Sequence, residues 1–507
     1  MKTRTLRSIV LASALALLAA ALALFAAGPA AAQFDKYVAL GDSLTAGVES
    51  NCLVQRNQVN SFPAVLAGSL GIDGFEQPLV QELPLTNPLV GSPCLGPSFV
   101  PPASITVVPV SQTGAPLNAV LPRPYDNLGI PFAHASDLTQ LKHSDPTGSD
   151  VERSAALVLR NITGSPFDGL SAVDEANILF ASSTGSKLVT LWIGNNDVLG
   201  AATSGVVVDG VTVTPVDVFT SAYQAIVAAI PADVLIARAN IPDVTGIPFT
   251  TTIPPVLVDP TTRQPVIVNG APVPLLGPGD AAYPCTPVPP DHGCALPAGT
   301  LVTLPASSLL AQGLGVPTAA GGTGLPLPHG QFVPPSTVVP GVLLYPDEVA
   351  LLQSRTDAYN EVIAGADDGP LVDIHGFFEG VVANGYSIGG ITLTSAFLTG
   401  GVFSYDGVHP SSAGYSIIAD QFISAINAQA GTDIPRPDLA GILFEPNVPV
   451  TGGADVNAGP WGYDFSMWRG ALSDSGAAGR LTIRMPGPAS DPRPMRAPTR
   501  TLSRTAD

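Results

Sequence analysis

Short, mostly apolar runs set the strongest limit on what this chain folds into. Tyr37-Val38-Ala39-Leu40 runs into Gly41, and Lys187 to Ile193 runs into Gly194. Asp233 to Ala239 and Leu371 to Ile374 are two more such runs. Runs with little polar alternation read as strands buried on both faces. Helical patterns lie between them. Ser61-Phe62-Pro63 starts a helix through Leu70, with Ser61 as N-cap and a proline in the first turn. A second helix spans about Val216 to Ile230. Val349, Leu352, Tyr359 and Val362 lie close to one face of a helix starting near Pro346. Tyr415, Ile418, Phe422 and Ile426 mark the inner face of a last helix, capped by Ser412 and closed by Gly431. Strands alternating with helices predict an α/β fold with a mainly parallel sheet covered on both faces.

The connections are long. Residues 72–125 are Pro-rich and read as irregular, and Val206 to Val213 reads as a hairpin turning on Asp209-Gly210. Residues 246–345 hold 20 prolines but only four charged residues, Asp259, Arg263, Asp280 and Asp291. A structureless loop of that length does not suit a compact domain, so this stretch is expected to be an inserted subdomain or lid. Within it, Val266 to Ala271 looks like a hairpin. The whole chain has 52 glycines and 52 prolines, yet 46% of it is hydrophobic, which argues for ordered loops on a core over disorder. The main domain is expected over 33–435. From 436 to 507 periodicity fades, and the end from Arg480 carries six arginines and reads as a flexible tail.

Residues 1–32 read as an export signal. Lys2, Arg4 and Arg7 precede an apolar run from Ile9 to Ala27, and Ala30-Ala31-Ala32 gives a cleavage site before Gln33. The protein is therefore expected to be secreted or periplasmic, without stable membrane insertion after cleavage; an uncleaved anchor is the alternative, since the run is nearly long enough to span a bilayer. Its net charge of −19 disfavours nucleic acid, whose phosphates need Lys and Arg partners. Export permits disulfides. Cys285 and Cys294 bracket a short Pro-rich loop and are expected to pair, which leaves Cys52 for Cys94. No ligand cluster has metal spacing, and no cofactor motif occurs, so no metal or cofactor is expected. Asn161-Ile162-Thr163 forms a glycosylation sequon.

Three segments carry chemistry. Gly41-Asp42-Ser43-Leu44 follows the first strand, and strand ends form the binding edge of a parallel sheet. Ser43 needs a base to become a nucleophile. Asp406-Gly407-Val408-His409-Pro410 precedes the last helix, and an Asp three residues before a His can orient its ring. His409 is the one histidine of six with that spacing. Gly194-Asn195-Asn196-Asp197 closes a middle strand, where an amide suits an oxyanion donor, although the same residues suit a plain polar turn. Gly385-Tyr386-Ser387-Ile388-Gly389 fits the G-x-S-x-G elbow, but the strand-like Ile391 to Thr394 follows where a helix is required. Trp192 reads as core. His375 either borders the site or is a satisfied surface histidine.

In type, order and placement the three segments resemble the GDSL/SGNH hydrolases, over roughly residues 35–431. The resemblance implies a three-layer α/β/α sandwich of flavodoxin-like type and a serine ester hydrolase working through an acyl-enzyme. Ser43 would attack, His409 would act as base, Asp406 would orient it, and Asn196 with the Ser43 N–H would bind the oxyanion. The family's third donor is a glycine, and here that position falls on Phe132, with Gly129 as the alternative. The apolar insertion favours lipophilic acyl esters. Polysaccharide O-acetyl groups are the alternative substrate, and a non-catalytic surface-binding module on the same fold is the alternative of another class.

Overall fold

The computed structural model describes residues 34–439 apart from 87–90, 101–103, 260, 261 and 263. The export segment, the cleavage site and the arginine-rich tail lie outside these residues. Five parallel strands form the central sheet: β1 (Lys36–Gly41), β2 (Asn127–Gly129), β3 (Lys187–Trp192), β4 (Val234–Ala239) and β5 (Leu371–Val372). Their spatial order is β2-β1-β3-β4-β5, which is the flavodoxin-like order. The strands need no polar face because both faces are covered. Tyr37, Ala39, Leu188, Trp192, Ala237 and Ala239 point into one core, and Val38, Leu40, Val189, Leu191, Val234 and Ile236 point into the other. That period-2 alternation between two apolar layers fixes the register, since a one-residue slip would exchange the two cores.

Among the described residues, helices frame the sheet on both faces. The short α1 (Ser43–Ala46) leaves β1 directly. Helices α2 (Phe62–Leu70), α7 (Ile374–Asn384) and α8 (Ser412–Ala430) cover the first face, where Phe62 stacks on Phe422 with ring centroids 4.7 Å apart. Helices α3 (Ala172–Ala181), α4 (Asn196–Ser204), α5 (Val216–Ala229) and α6 (Pro346–Gly365) cover the second face. Ser61 caps α2 as expected, its hydroxyl accepting from Ala64 N. The cap of α8 is Ser411, one residue before the expected Ser412, because Ser411 Oγ accepts from Gly414 N while Ser412 Oγ is turned to Glu49. Gly431 closes α8 in the left-handed region. The strand expected over Leu371 to Ile374 stops at Val372, because Asp373 caps α7 through Gly376 N.

Two expectations about the connections are overturned. The stretch 72–125 is not irregular throughout: Val80–Pro84, Pro93–Val100 and Ser104–Pro116 form a three-stranded antiparallel sheet. Its central strand carries Pro109 beside the register shift between Cys94 and Leu95, the kind of irregularity at which sheets tolerate proline. Val206 to Val213 is a compact turn and not a hairpin, because Thr212 Oγ1 donates to Val206 O and accepts from Val208 N. Such local side-chain bonds compete with strand pairing.

The described part of the 246–345 insertion has its own short ladders and core. Short ladders surround a small core of Leu275, Leu296, Val302, Leu327, Leu343 and Tyr345. Ile267–Val268 pairs with Ala271–Pro272 across Asn269-Gly270, both with positive φ as a tight hairpin turn requires. Cys285 is bonded to Cys294, and Cys52 to Cys94. Asn161 of the sequon is fully buried and bonded to Leu141 O, Leu170 O and Ser144, which leaves no room for a glycan. Among the described residues no helix is long and apolar enough to cross a membrane.

Candidate active site

The carboxyl ends of β1, β2 and β3 bring the three motifs together. Asp42 leaves β1 and caps α1 by accepting from Leu44 N at 3.0 Å. Ser43 is thereby the first residue of α1, where the peptide N–H has no intrahelical acceptor. Ser43 is 7% exposed. Its Oγ lies 3.0 Å from His409 Nε2, and His409 Nδ1 lies 2.8 Å from Asp406 Oδ2. Hydroxyl, imidazole and carboxylate thus form a continuous relay between segments 366 residues apart.

Asp406 is held from both sides. Its Oδ1 accepts from Val408 N and His409 N, both at 2.8 Å, and from Ser404 Oγ at 3.2 Å. Its Oδ2 accepts from Asn51 N at 2.7 Å as well as from His409. Burial acts to raise the carboxyl, but His409 and the backbone donors outweigh it and hold it below the usual carboxylate range. A carboxylate that stays charged favours the imidazole tautomer with Nδ1–H toward it, which leaves Nε2 able to accept a hydrogen bond from the Ser43 hydroxyl. The turn that carries these groups needs Gly407, whose φ is +70°. A Cβ there would meet Leu304 Cδ1 at 2.8 Å and Phe249 N at 3.0 Å. Phe249 and Leu304 belong to the inserted subdomain, and Phe249 N donates to Gly407 O at 2.9 Å. The insertion therefore buttresses the Asp406–His409 loop from behind.

The middle motif ties the strand ends to one another. Asn195 Nδ2 donates to Asp42 Oδ2 at 2.8 Å, Asn196 Nδ2 donates to Ala133 O at 2.9 Å, and Asp197 accepts from Ala135 N and Thr214 Oγ1. The sequence reading singled out Asn196 alone. Its neighbours Asn195 and Asp197 hold the loops on either side, and their signal was an unbroken polar run at a strand end. Burial pushes Asp42 up to about 6 in spite of the Asn195 amide.

Phe132 follows β2 with φ +67° and is 42% exposed. The left-handed region is where a glycine normally sits. Its N–H has no acceptor among the described residues. Gly129 sits inside β2, its N–H donated to Asn127 Oδ1 at 3.0 Å. A Cβ on it would come within 2.3 Å of Ala46 N, so Gly129 serves close packing of α1 on the sheet and has no donor to spare for the site. Ser387 is on an exposed hairpin strand, paired with Thr392 Oγ1, and no helix follows it.

A cavity of about 280 Å³ opens beside the relay. Leu44 and Val408, the neighbours of Ser43 and His409, form one side, and Trp192, Ile247, Phe378 and Val382 extend it as an apolar wall. Helix α7 supplies much of that wall. The inserted subdomain adds only Gly246 and Ile247, at its very start. His375 borders the cavity, its Nδ1 donating to Ile241 O at 3.0 Å. Trp192 is fully buried core and also reaches the cavity.

Comparison with known proteins agrees with this geometry. The family model described as GDSL-like Lipase/Acylhydrolase matches residues 37–422, which span the sheet, the relay and most of α8. No curated protein sequence matches the chain. With the match running across most of its length, the chain belongs to the GDSL-like lipase/acylhydrolase family, hydrolases of the esterase and lipase type.

Proposed function

We propose that the protein is an exported serine carboxylic-ester hydrolase that acts through an acyl-enzyme on lipophilic acyl esters. The observation that carries this reading is the Ser43–His409–Asp406 relay, at 3.0 and 2.8 Å. His409 Nε2 takes the Ser43 proton as Oγ attacks the ester carbonyl, and the carbonyl oxygen gains negative charge. The Ser43 N–H, the second Asn196 amide hydrogen and the Phe132 N–H are the donors offered to it. The tetrahedral intermediate collapses, the C–O bond breaks, and His409 returns the proton to the leaving alcohol. Water then repeats the sequence on the acyl-enzyme and releases the acid.

The apolar lining of the cavity supports the acyl preference. A buried methylene is worth about 0.8 kcal/mol, close to a fourfold gain in binding. Hydrolysis of p-nitrophenyl esters from acetate to palmitate by the full-length protein tests this. Rates are expected to climb beyond acetate until the cavity is filled and then to level or fall. A preference for acetate over octanoate would replace this substrate class with polysaccharide O-acetyl groups. The two disulfides support export. Mass spectrometry of protein recovered outside the cytoplasm is expected to find Gln33 at its N-terminus.

A further inference from the structure

Glu49, Ser50, Asn51 and Cys52 form a tight turn a few residues after Ser43. Glu49 N donates to Cys52 O at 3.1 Å and Cys52 N to Glu49 O at 3.2 Å. Both central residues, Ser50 and Asn51, have left-handed φ values of +56° and +65°. Neither is glycine, so the turn is a strained one that its surroundings must hold.

Those surroundings are the three-stranded sheet of residues 80–116. Cys52 is bonded to Cys94, Leu95 N donates to Ser50 O at 2.9 Å, and Asn51 Nδ2 donates to Pro93 O at 3.2 Å. On its other side the turn meets the loop that carries Asp406. Ser50 N donates to Ser404 Oγ at 2.8 Å, Tyr405 N to Ser50 Oγ at 3.3 Å, and Asn51 N to Asp406 Oδ2 at 2.7 Å. Ser50 is 4% and Ser404 1% exposed, so water does not compete for these bonds.

The donors to Asp406 divide into two kinds. Ser404, Val408 and His409 belong to its own loop and move with it. Asn51 N–H is the donor from elsewhere, and it comes from the segment that carries the nucleophile. Resting on the serine-hydrolase reading, we propose that the Glu49–Cys52 turn, fastened to the accessory sheet by Cys52–Cys94, is a positioning strap that sets Asp406 and His409 against Ser43. Ser50 and Ser404 are its positioning residues, and the accessory sheet is its anchor. Misplacing a catalytic group by about 1 Å costs roughly 100-fold in rate, so a loosened strap acts on turnover.

The test compares kcat and KM of the full-length enzyme on a short p-nitrophenyl ester for Ser404→Ala, Ser50→Ala and the Cys52→Ala/Cys94→Ala pair. The Cys285→Ala/Cys294→Ala pair serves as a control that removes a disulfide linking neither the strap nor the Asp406 loop. The three strap variants are expected to lose roughly 10- to 100-fold in kcat with KM within about twofold, and to react with a phosphonate probe more slowly in the same proportion. The control is expected to melt lower but keep its kcat. Strap variants that stay folded by thermal melting and keep wild-type kcat overturn the proposal, as does a loss confined to KM or a control that loses kcat as they do. A wild-type protein that neither hydrolyses esters nor is labelled at Ser43 overturns the hydrolase reading itself, and the strap's catalytic role with it.

Discussion

At the scale of single residues, one buried carboxyl near the relay is held below its usual range and another is pushed above it. Asp406 is buried yet stays ionised because five hydrogen bonds converge on it. Glu49 is equally buried, with Ser412 Oγ on its Oε2, and burial pushes it up to about 7. Its folded value is raised, so the native state binds the extra proton between about pH 4.5 and 7. Stability therefore falls as pH rises through that window, by on the order of 3 kcal/mol once Glu49 is fully ionised. Glu49→Gln keeps an acceptor for Ser412 and carries no charge. Thermal melts should show it gaining on wild type at pH 8 and level with it at pH 4; equal gaps at both pH values would contradict this. Asn196 is oriented through Ala133 O. Its replacement by Ala is expected to lower kcat by about 10²–10³-fold with little change in KM, the usual result of removing one oxyanion donor. Equal kcat in steady-state assays would reduce Asn196 to a turn residue.

At the scale of elements, what was legible in the sequence was what local pattern determines. The strands at Tyr37 and Lys187 and the helices at Phe62, Val216, Pro346 and Tyr415 announce themselves by apolar period and cap. Ser43, Asn196, Asp406 and His409 stand out because each sits at a strand end or before a helix cap, where polar residues are not needed for packing. The three-stranded sheet over 80–116 is hidden because its strands carry prolines such as Pro97 and Pro109, and the register shift beside Pro109 shows only in the paired strand. Helix α7 was missed because Leu371 to Ile374 reads as one apolar run, and the Asp373 cap divides it. On the proposed acyl-ester reading this helix shapes the acyl site, since Phe378 and Val382 wall the cavity. Val382 is 53% exposed, so a larger side chain is tolerated without repacking the core. Val382→Trp is expected to cut octanoate turnover several-fold relative to acetate, in a competition assay on nitrophenyl esters. An unchanged octanoate-to-acetate ratio would place the acyl chain elsewhere.

At the scale of the whole molecule, a flavodoxin-like sheet carries two large additions, and both converge on the same short loop. The accessory sheet reaches the Asp406 loop through the Glu49–Cys52 turn, and the inserted subdomain reaches it through Phe249 and Leu304 behind Gly407. The sequence suggests a subdomain or lid from low charge and high proline content, and the described part of the insertion holds a small apolar core. Its position is a matter of tertiary contact, which composition does not encode, and that position is beside and behind the relay. The central claim remains that Ser43 is the attacking group, and one measurement bears on it most directly. Steady-state hydrolysis by Ser43→Ala, set against wild type and checked for folding by thermal melting, is predicted to fall by at least about 10³-fold, leaving only what binding and the oxyanion donors supply. Turnover near the wild-type rate in a folded Ser43→Ala protein would contradict the account.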